Sequence, residues 1–212
     1  MSTPPLAALR PDALSDALSD ARPDGRRLRG ERTRSSIVAA LLALLDDGVP
    51  APTAAQIAER ASVSVRSVFQ HFSDMEALYE DLAAAQRDRV APLIASVERP
   101  EGLDERIVAL VSGRAELFET ITPVRHAVAG RAGRSPALRS RLAELASALH
   151  TQVAEQFSPE LSAMPARRRA EVLSLVDLLC SFEAWDRLRV VQGMERNAAE
   201  RSLRTALRAL LT

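Results

Sequence analysis

Within residues 53–72, side chains able to make hydrogen bonds stand where an amphipathic helix would turn outward. Val65, Arg66, Ser67, Gln70 and His71 are set against apolar Val68 and Phe72. Side chains of these kinds can read base edges in a DNA major groove. Arg pairs with guanine, Gln with adenine, and Val meets the thymine methyl, each good bidentate pair discriminating by about 1–3 kcal/mol. The same spacing also describes the solvated face of an ordinary helix, and the residues by themselves leave both readings open.

Other chemistry is poorly represented. The chain has no Gly-rich phosphate loop, no nucleophile elbow and no His-Glu-x-x-His. No catalytic residue is assigned and no cofactor is implied; an enzyme would need a function hidden in the second half. The single cysteine, Cys180, lies in an apolar stretch and excludes an internal disulfide or a cysteine-based zinc site. His126 and His150 have no carboxylate or second His three or four residues on, so no metal site is expected.

The elements that must hold residues 53–72 in place are expected to be helical. Hydrophobic residues make up 47% of the 212 but aromatics only 3%, so the core must come from Ala, Leu and Val. No alternating β-branched run is bounded by hairpin dipeptides. The expected fold is all-α, about nine helices, with an N-terminal three-helix helix-turn-helix domain followed by a C-terminal helical domain. A first helix carries Ile37, Leu41, Leu44 and Leu45 and stops at Gly48. Thr53 with Gln56 forms a capping box for a second helix over 54–61, Ser64 caps a third reaching Phe72, and Ser73 with Glu76 opens a fourth.

Pro92 predicts a kink or break near Ala91. A fifth helix spans roughly 103–120. Thr122-Pro123 and Ser135-Pro136 start the sixth and seventh, Pro165 starts an eighth reaching Val191, and Asn197 with Glu200 caps a ninth that runs to the C terminus. The chain divides accordingly into a disordered tail over 1–25, a helix-turn-helix domain with a basic arm over 26–72, and a helical domain over 73–212. The tail is rich in Pro, Asp and Ala and repeats Ala-Leu-Ser-Asp.

Formal net charge is zero, with 28 basic residues, all Arg, against 28 acidic ones. Its distribution is uneven. Residues 26–72 hold seven Arg against four acids, whereas 73–212 hold 19 Arg against 20 acids. Positive charge therefore gathers where a polyanion would lie. Asp12, Asp16 and Asp20 interrupt any early apolar run, and no stretch reaches the roughly 18 apolar residues of a membrane helix. A cytoplasmic protein without a membrane partner is expected.

Residues 53–79 resemble the TetR/AcrR signature of bacterial transcriptional regulators. The positions that carry the match are Thr53, Ile57, Ala58, Ala61, Val63, Ser64, Ser67, Phe69, His71, Phe72, Glu76 and Leu78. Three positions depart from it. The family usually has Gly at Ser62, Tyr at Phe69 and Lys at Met75, the last two meeting phosphates. The resemblance implies DNA contacts from Thr53, Ser64, Val65, Arg66, Ser67, Gln70 and His71. The missing phosphate contacts would be offset by Arg26, Arg27 and Arg29 of the arm.

The resemblance also implies a homodimer joined through the eighth and ninth helices. The eighth is apolar nearly all round, with Val172, Leu175, Val176, Leu179, Phe182, Trp185 and Leu188, so it must be covered all round. Cover could come from a partner or from the subunit itself. The family implies a double-stranded palindromic operator, repression, and release by a small molecule bound between helices five and eight. An effector-free dimeric DNA-binding protein is the alternative. Candidate pocket residues are Phe118, Ile121, His126, Leu149, Phe182 and Trp185, for each of which core packing is the simpler role.

Overall fold

The computed structural model describes residues 11–133 and 135–212. All regular structure among them is helical, in ten α-helices and one π-helical turn. The first, α1 (Pro11–Asp46), runs unbroken through residues expected to form a tail and an arm. Of the tail expected over 1–25, residues 1–10 lie outside the described residues, and from Pro11 the backbone is helical rather than irregular. Arg26, Arg27 and Arg29 thus stand on α1 itself. An ion pair between Arg27 and Glu31, one turn apart at 3.7 Å, supports the helix there.

Gly48, at φ +83°, ends this first element as expected. Next come α2 (Ala54–Arg60) and α3 (Val65–His71). The fourth, α4 (Met75–Ala95), is capped by Asp74, whose Oδ1 accepts from the Ala77 amide at 2.9 Å. The expected Ser73–Glu76 capping box is not formed, because Glu76 turns to Arg131 at 2.8 Å. Nor does Pro92 break this helix, since the hydrogen bond it removes lies at an exposed position where solvent can replace it.

Next, α5 (Leu103–Ala132) is a single helix where two were expected. Thr122 does not cap a new helix; its hydroxyl donates backward to the Phe118 carbonyl at 2.6 Å. Pro123 is then absorbed within a helix packed along α4, α6 and α10. Ser135 caps α6 (Pro136–Gln156) as expected, accepting from the Leu138 amide at 3.1 Å. A short α7 (Ser158–Ala163), not anticipated, follows.

The single helix expected over 165–191 is three pieces: α8 (Ala166–Leu179), α9 (Phe182–Asp186) and a π-helical turn at Arg187–Val191. Ser181 makes the break. Its hydroxyl donates to the Leu178 carbonyl at 2.7 Å and accepts from the Ala184 amide at 3.2 Å, closing one helix and opening the next. The last helix, α10 (Arg196–Leu211), begins before Asn197, which therefore does not cap it. Glu200 is bound instead by Arg196 at 3.1 Å and Arg204 at 2.5 Å.

Two hydrophobic clusters result. The N-terminal one joins α1, α2 and α3 through Ile37, Leu41, Ile57, Val68 and Phe72, but is completed from outside by Leu78 and Leu82 of α4 and by Val124 and Val128 of α5. The second is built around Leu110, Phe118, Val153, Val176, Trp185 and Leu207. Because α4 and α5 serve both, the two cores are not separable bodies.

Candidate nucleic-acid interface and neighbouring cavities

Two short helices and the turn between them set the outward residues. Thr53 and Gln56 satisfy each other's backbone: the Gln56 amide reaches Thr53 Oγ1 at 3.3 Å, and the Thr53 amide reaches Gln56 Oε1 at 2.9 Å. Ile57 and Ala58 bury the inner side of α2. The helix then ends in a two-bond αL turn, with the Ser62 amide on the Glu59 carbonyl at 3.1 Å and the Val63 amide on the Ala58 carbonyl at 2.9 Å. That turn holds Ser62 at φ 55°, the left-handed region that favours glycine.

Ser64 opens α3 by accepting from the Ser67 amide at 3.0 Å. Val68 and Phe72 are buried, which turns Val65, Arg66, Phe69 and Gln70 outward. Val65 is 41% exposed and Phe69 51%, so two sizeable apolar side chains face solvent beside two polar ones. Ser67 and His71 are half-buried at the flanks, and Thr53 and Ser64 are exposed, with hydroxyls engaged in capping.

Arg26, Arg27 and Arg29 are all exposed on α1. Gly30 follows them directly, and a β-carbon there would stand 3.9 Å from His71 Cε1, so this basic turn lies beside the end of α3. Arg34, one turn on, serves a different purpose. Its Nε meets Asp81 at 2.7 Å, its Nη1 donates to the His71 carbonyl at 2.5 Å, and its guanidinium lies 4.1 Å over the Phe72 ring. One side chain thereby ties α1, α3 and α4.

Two cavities adjoin α5. One, of about 390 Å³, brings together four of the six pocket candidates, Phe118, Ile121, Leu149 and Phe182, with Asp177 and Glu183 beside them. Phe118 and Phe182 meet edge to face at 5.8 Å. His126 and Trp185 do not line it. His126 pairs with Asp186 at 2.7 Å, and Trp185 is buried with its indole N–H donated to Glu119 at 3.2 Å. The second cavity, about 180 Å³, lies between α4, α5 and α6. Ile121, Arg125, Leu142 and Leu145 line both.

Buried polar groups cluster near the larger cavity. Burial pushes the Arg114 guanidinium down to about 10 and the Cys180 thiol up to about 12. Arg114 donates to the Leu149 carbonyl at 2.8 Å. His150 pairs with Asp177 at 3.2 Å. Among the described residues no three His, Cys, Asp or Glu side chains converge as a metal site would need.

Residues 37–82 match the model of the bacterial regulatory proteins of the tetR family, spanning the end of α1, all of α2 and α3, and the first turns of α4. Over these residues the chain is similar to the TetR family. The fold of the chain is shared with a transcriptional regulator from Rhodococcus (TM-score 0.65, 20% identity, 84% of this chain and 95% of that one). It is shared also with a tetR-family transcriptional regulator from Streptomyces coelicolor (TM-score 0.67, 20% identity, 85% and 80%). A third similar structure is the multidrug binding protein EbrR complexed with ethidium (TM-score 0.58, 18% identity, 85% and 99%). Among curated proteins none is significantly similar in sequence.

The three departures from the TetR/AcrR signature have physical addresses. Ser62 occupies the left-handed corner, Phe69 is exposed on the outer face of α3, and Met75 packs half-buried against the N-terminal core. Two residues of consequence were not singled out from sequence. Arg34 reads as one more cation of a basic run. Gln86 was legible in principle, as a lone amide at helical spacing among Leu82 and Val90 on the buried face of α4.

Proposed function

We propose that this TetR-family chain is a cytoplasmic one-component repressor that binds a palindromic operator as a homodimer and is released by a small-molecule effector. The outward face of α3 carries this reading. A helix that exposes Val65 and Phe69 beside Arg66 and Gln70 offers methyl contacts and hydrogen bonds in the combination that a major groove accepts. Thr53, Ser64, Ser67 and His71 flank that face, and Arg26, Arg27 and Arg29 add contacts to phosphate.

Dimerisation is supported by apolar side chains left open on α8 and the π-helical turn, namely Leu175, Leu178, Val190 and Val191. A two-fold pair would set its α3 helices about 34–36 Å apart, one turn of DNA.

Effector control is supported by the position of α4. Leu78 and Leu82 enter the core that holds α3, whereas Gln86, Val90 and Ile94 of the same helix line the smaller cavity. Arg131 on α5 clamps the start of α4, pairing with Glu76 and lying 4.0 Å over the Tyr79 ring. A ligand that moved α4 would move the base of α3, and couplings of this kind are typically about 1–3 kcal/mol. EbrR, similar in fold, is a protein whose structures hold imidazole and ethidium.

The test is selection of duplexes from a random pool by the full-length chain. Enrichment of a palindrome whose half-sites lie one helical turn apart is expected. Retention without sequence enrichment would sink the reading.

A further inference from the structure

The cavity between α4, α5 and α6 holds about 180 Å³. An apolar cavity of roughly 150 Å³ accepts one benzene ring. Val90, Ile94, Ile121, Val128 and Leu145 give it an apolar wall that fits a body of that size.

Its polar groups are few and specific. Gln86 on α4 is only 5% exposed, and its Nε2 donates to the Thr120 carbonyl at 3.2 Å. Its Oε1 has no hydrogen-bond partner. A buried amide oxygen without a donor is an unfavourable state that a ligand hydroxyl or N–H would relieve.

Charge at this cavity is mainly positive, with Arg87, Arg125 and Arg141 against Glu144. Arg125 is engaged by Glu183 at 2.7 Å and Arg87 by Asp88 at 3.2 Å, while Glu144 accepts from the Ser140 hydroxyl at 3.1 Å. Arg141, half-buried on α6, has no carboxylate partner among the described residues.

We propose that this cavity binds a monocyclic aromatic carboxylate bearing a hydroxyl group, with the ring in the apolar space, the carboxylate on Arg141 and the hydroxyl donated to Gln86 Oε1. The inference rests on the effector reading above and supplies its ligand class. Guanidinium excess disfavours a cation, and a neutral ring leaves Arg141 unused.

Calorimetric titration of the full-length chain with para-hydroxybenzoate, benzoate, phenol and benzylamine tests it. Para-hydroxybenzoate binds more tightly than benzoate or phenol by about tenfold or more, the scale of one charge-assisted or buried hydrogen bond, and benzylamine does not bind. Arg141→Gln, at a half-exposed position that leaves the core intact, weakens para-hydroxybenzoate by about tenfold without altering phenol. Gln86→Leu removes the advantage of the hydroxylated acid over benzoate.

Equal affinity for phenol or benzylamine, indifference to Arg141→Gln, or no binding of any probe overturns the proposal. Retention of the selected duplex, measured with each probe present, separates the two readings. If para-hydroxybenzoate binds without releasing DNA, the ligand class stands and effector control fails. If a different kind of molecule releases DNA while no benzoate binds, the class fails and effector control stands.

Discussion

Arg66 and Arg27 are both exposed cations of the N-terminal unit, yet their surroundings differ. Arg66 projects from the outer face of α3 with no ion pair among the described residues, whereas Arg27 shares its charge with Glu31 along α1. Under the proposed function Arg66→Ala costs about 1–3 kcal/mol on the preferred duplex and relaxes base preference, while binding to random DNA changes little. Competitive anisotropy on the two duplexes checks this; equal loss on both refutes base reading. Arg27→Ala weakens both duplexes alike and lowers the salt slope by up to about one unit. A salt titration with an unchanged slope removes α1 from the interface.

Arg34 shows why a residue count is not a contact map. It belongs to the same basic run, but its guanidinium is committed to Asp81, the His71 carbonyl and the Phe72 ring. Arg34→Ala lowers stability by about 1–2 kcal/mol, the sum expected for a partly exposed cation–π contact and a hydrogen bond. Urea unfolding measures it, and a midpoint equal to that of the wild type contradicts the structural role.

At the scale of elements, the turn between α2 and α3 stores strain that one substitution removes. A non-glycine residue in the left-handed region costs about 1–2 kcal/mol, and glycine returns about 0.5–1 kcal/mol of that through its freer unfolded chain. Ser62→Gly should therefore stabilise by about 0.5–1 kcal/mol, raising the urea midpoint with an unchanged slope. A lower midpoint refutes the strain.

The sequence made such local devices legible because each needs only a few neighbouring residues. Thr53 with Gln56, Ser64, Gly48 and Ser135 all act as their types predict. Element ends governed by tertiary packing were not legible. Pro123 should have marked a boundary, but packing on three sides carries α5 through it. Conversely, nothing in the apolar run around Cys180 announces a break; Ser181 is a breaker only once its hydroxyl has chosen the Leu178 carbonyl. Gathering of Phe118, Ile121, Leu149 and Phe182 at one cavity was within reach of helical spacing, whereas the turning away of His126 toward Asp186 was not, because that partner lies on another element.

For the whole molecule, the decisive property is how much apolar surface one chain leaves uncovered. Leu178 is 58% exposed and Val191 65%, on the segments expected from sequence to need cover on every side. Under the proposed dimerisation, Leu178→Glu should shift the protein from dimer to monomer at micromolar concentration, with the helical signal retained. Light scattering coupled to size exclusion reads the mass. An unchanged dimer places the interface elsewhere.

The depth of Cys180 has a practical corollary. As the sole cysteine, buried and with a thiol that burial keeps protonated, it offers almost no thiolate to an alkylating reagent. A maleimide dye should therefore ignore the native chain, and a cysteine introduced at an exposed position such as Arg27 would label selectively without prior removal of the original. Distances between two such dyes could then be followed in solution as candidate ligands are added.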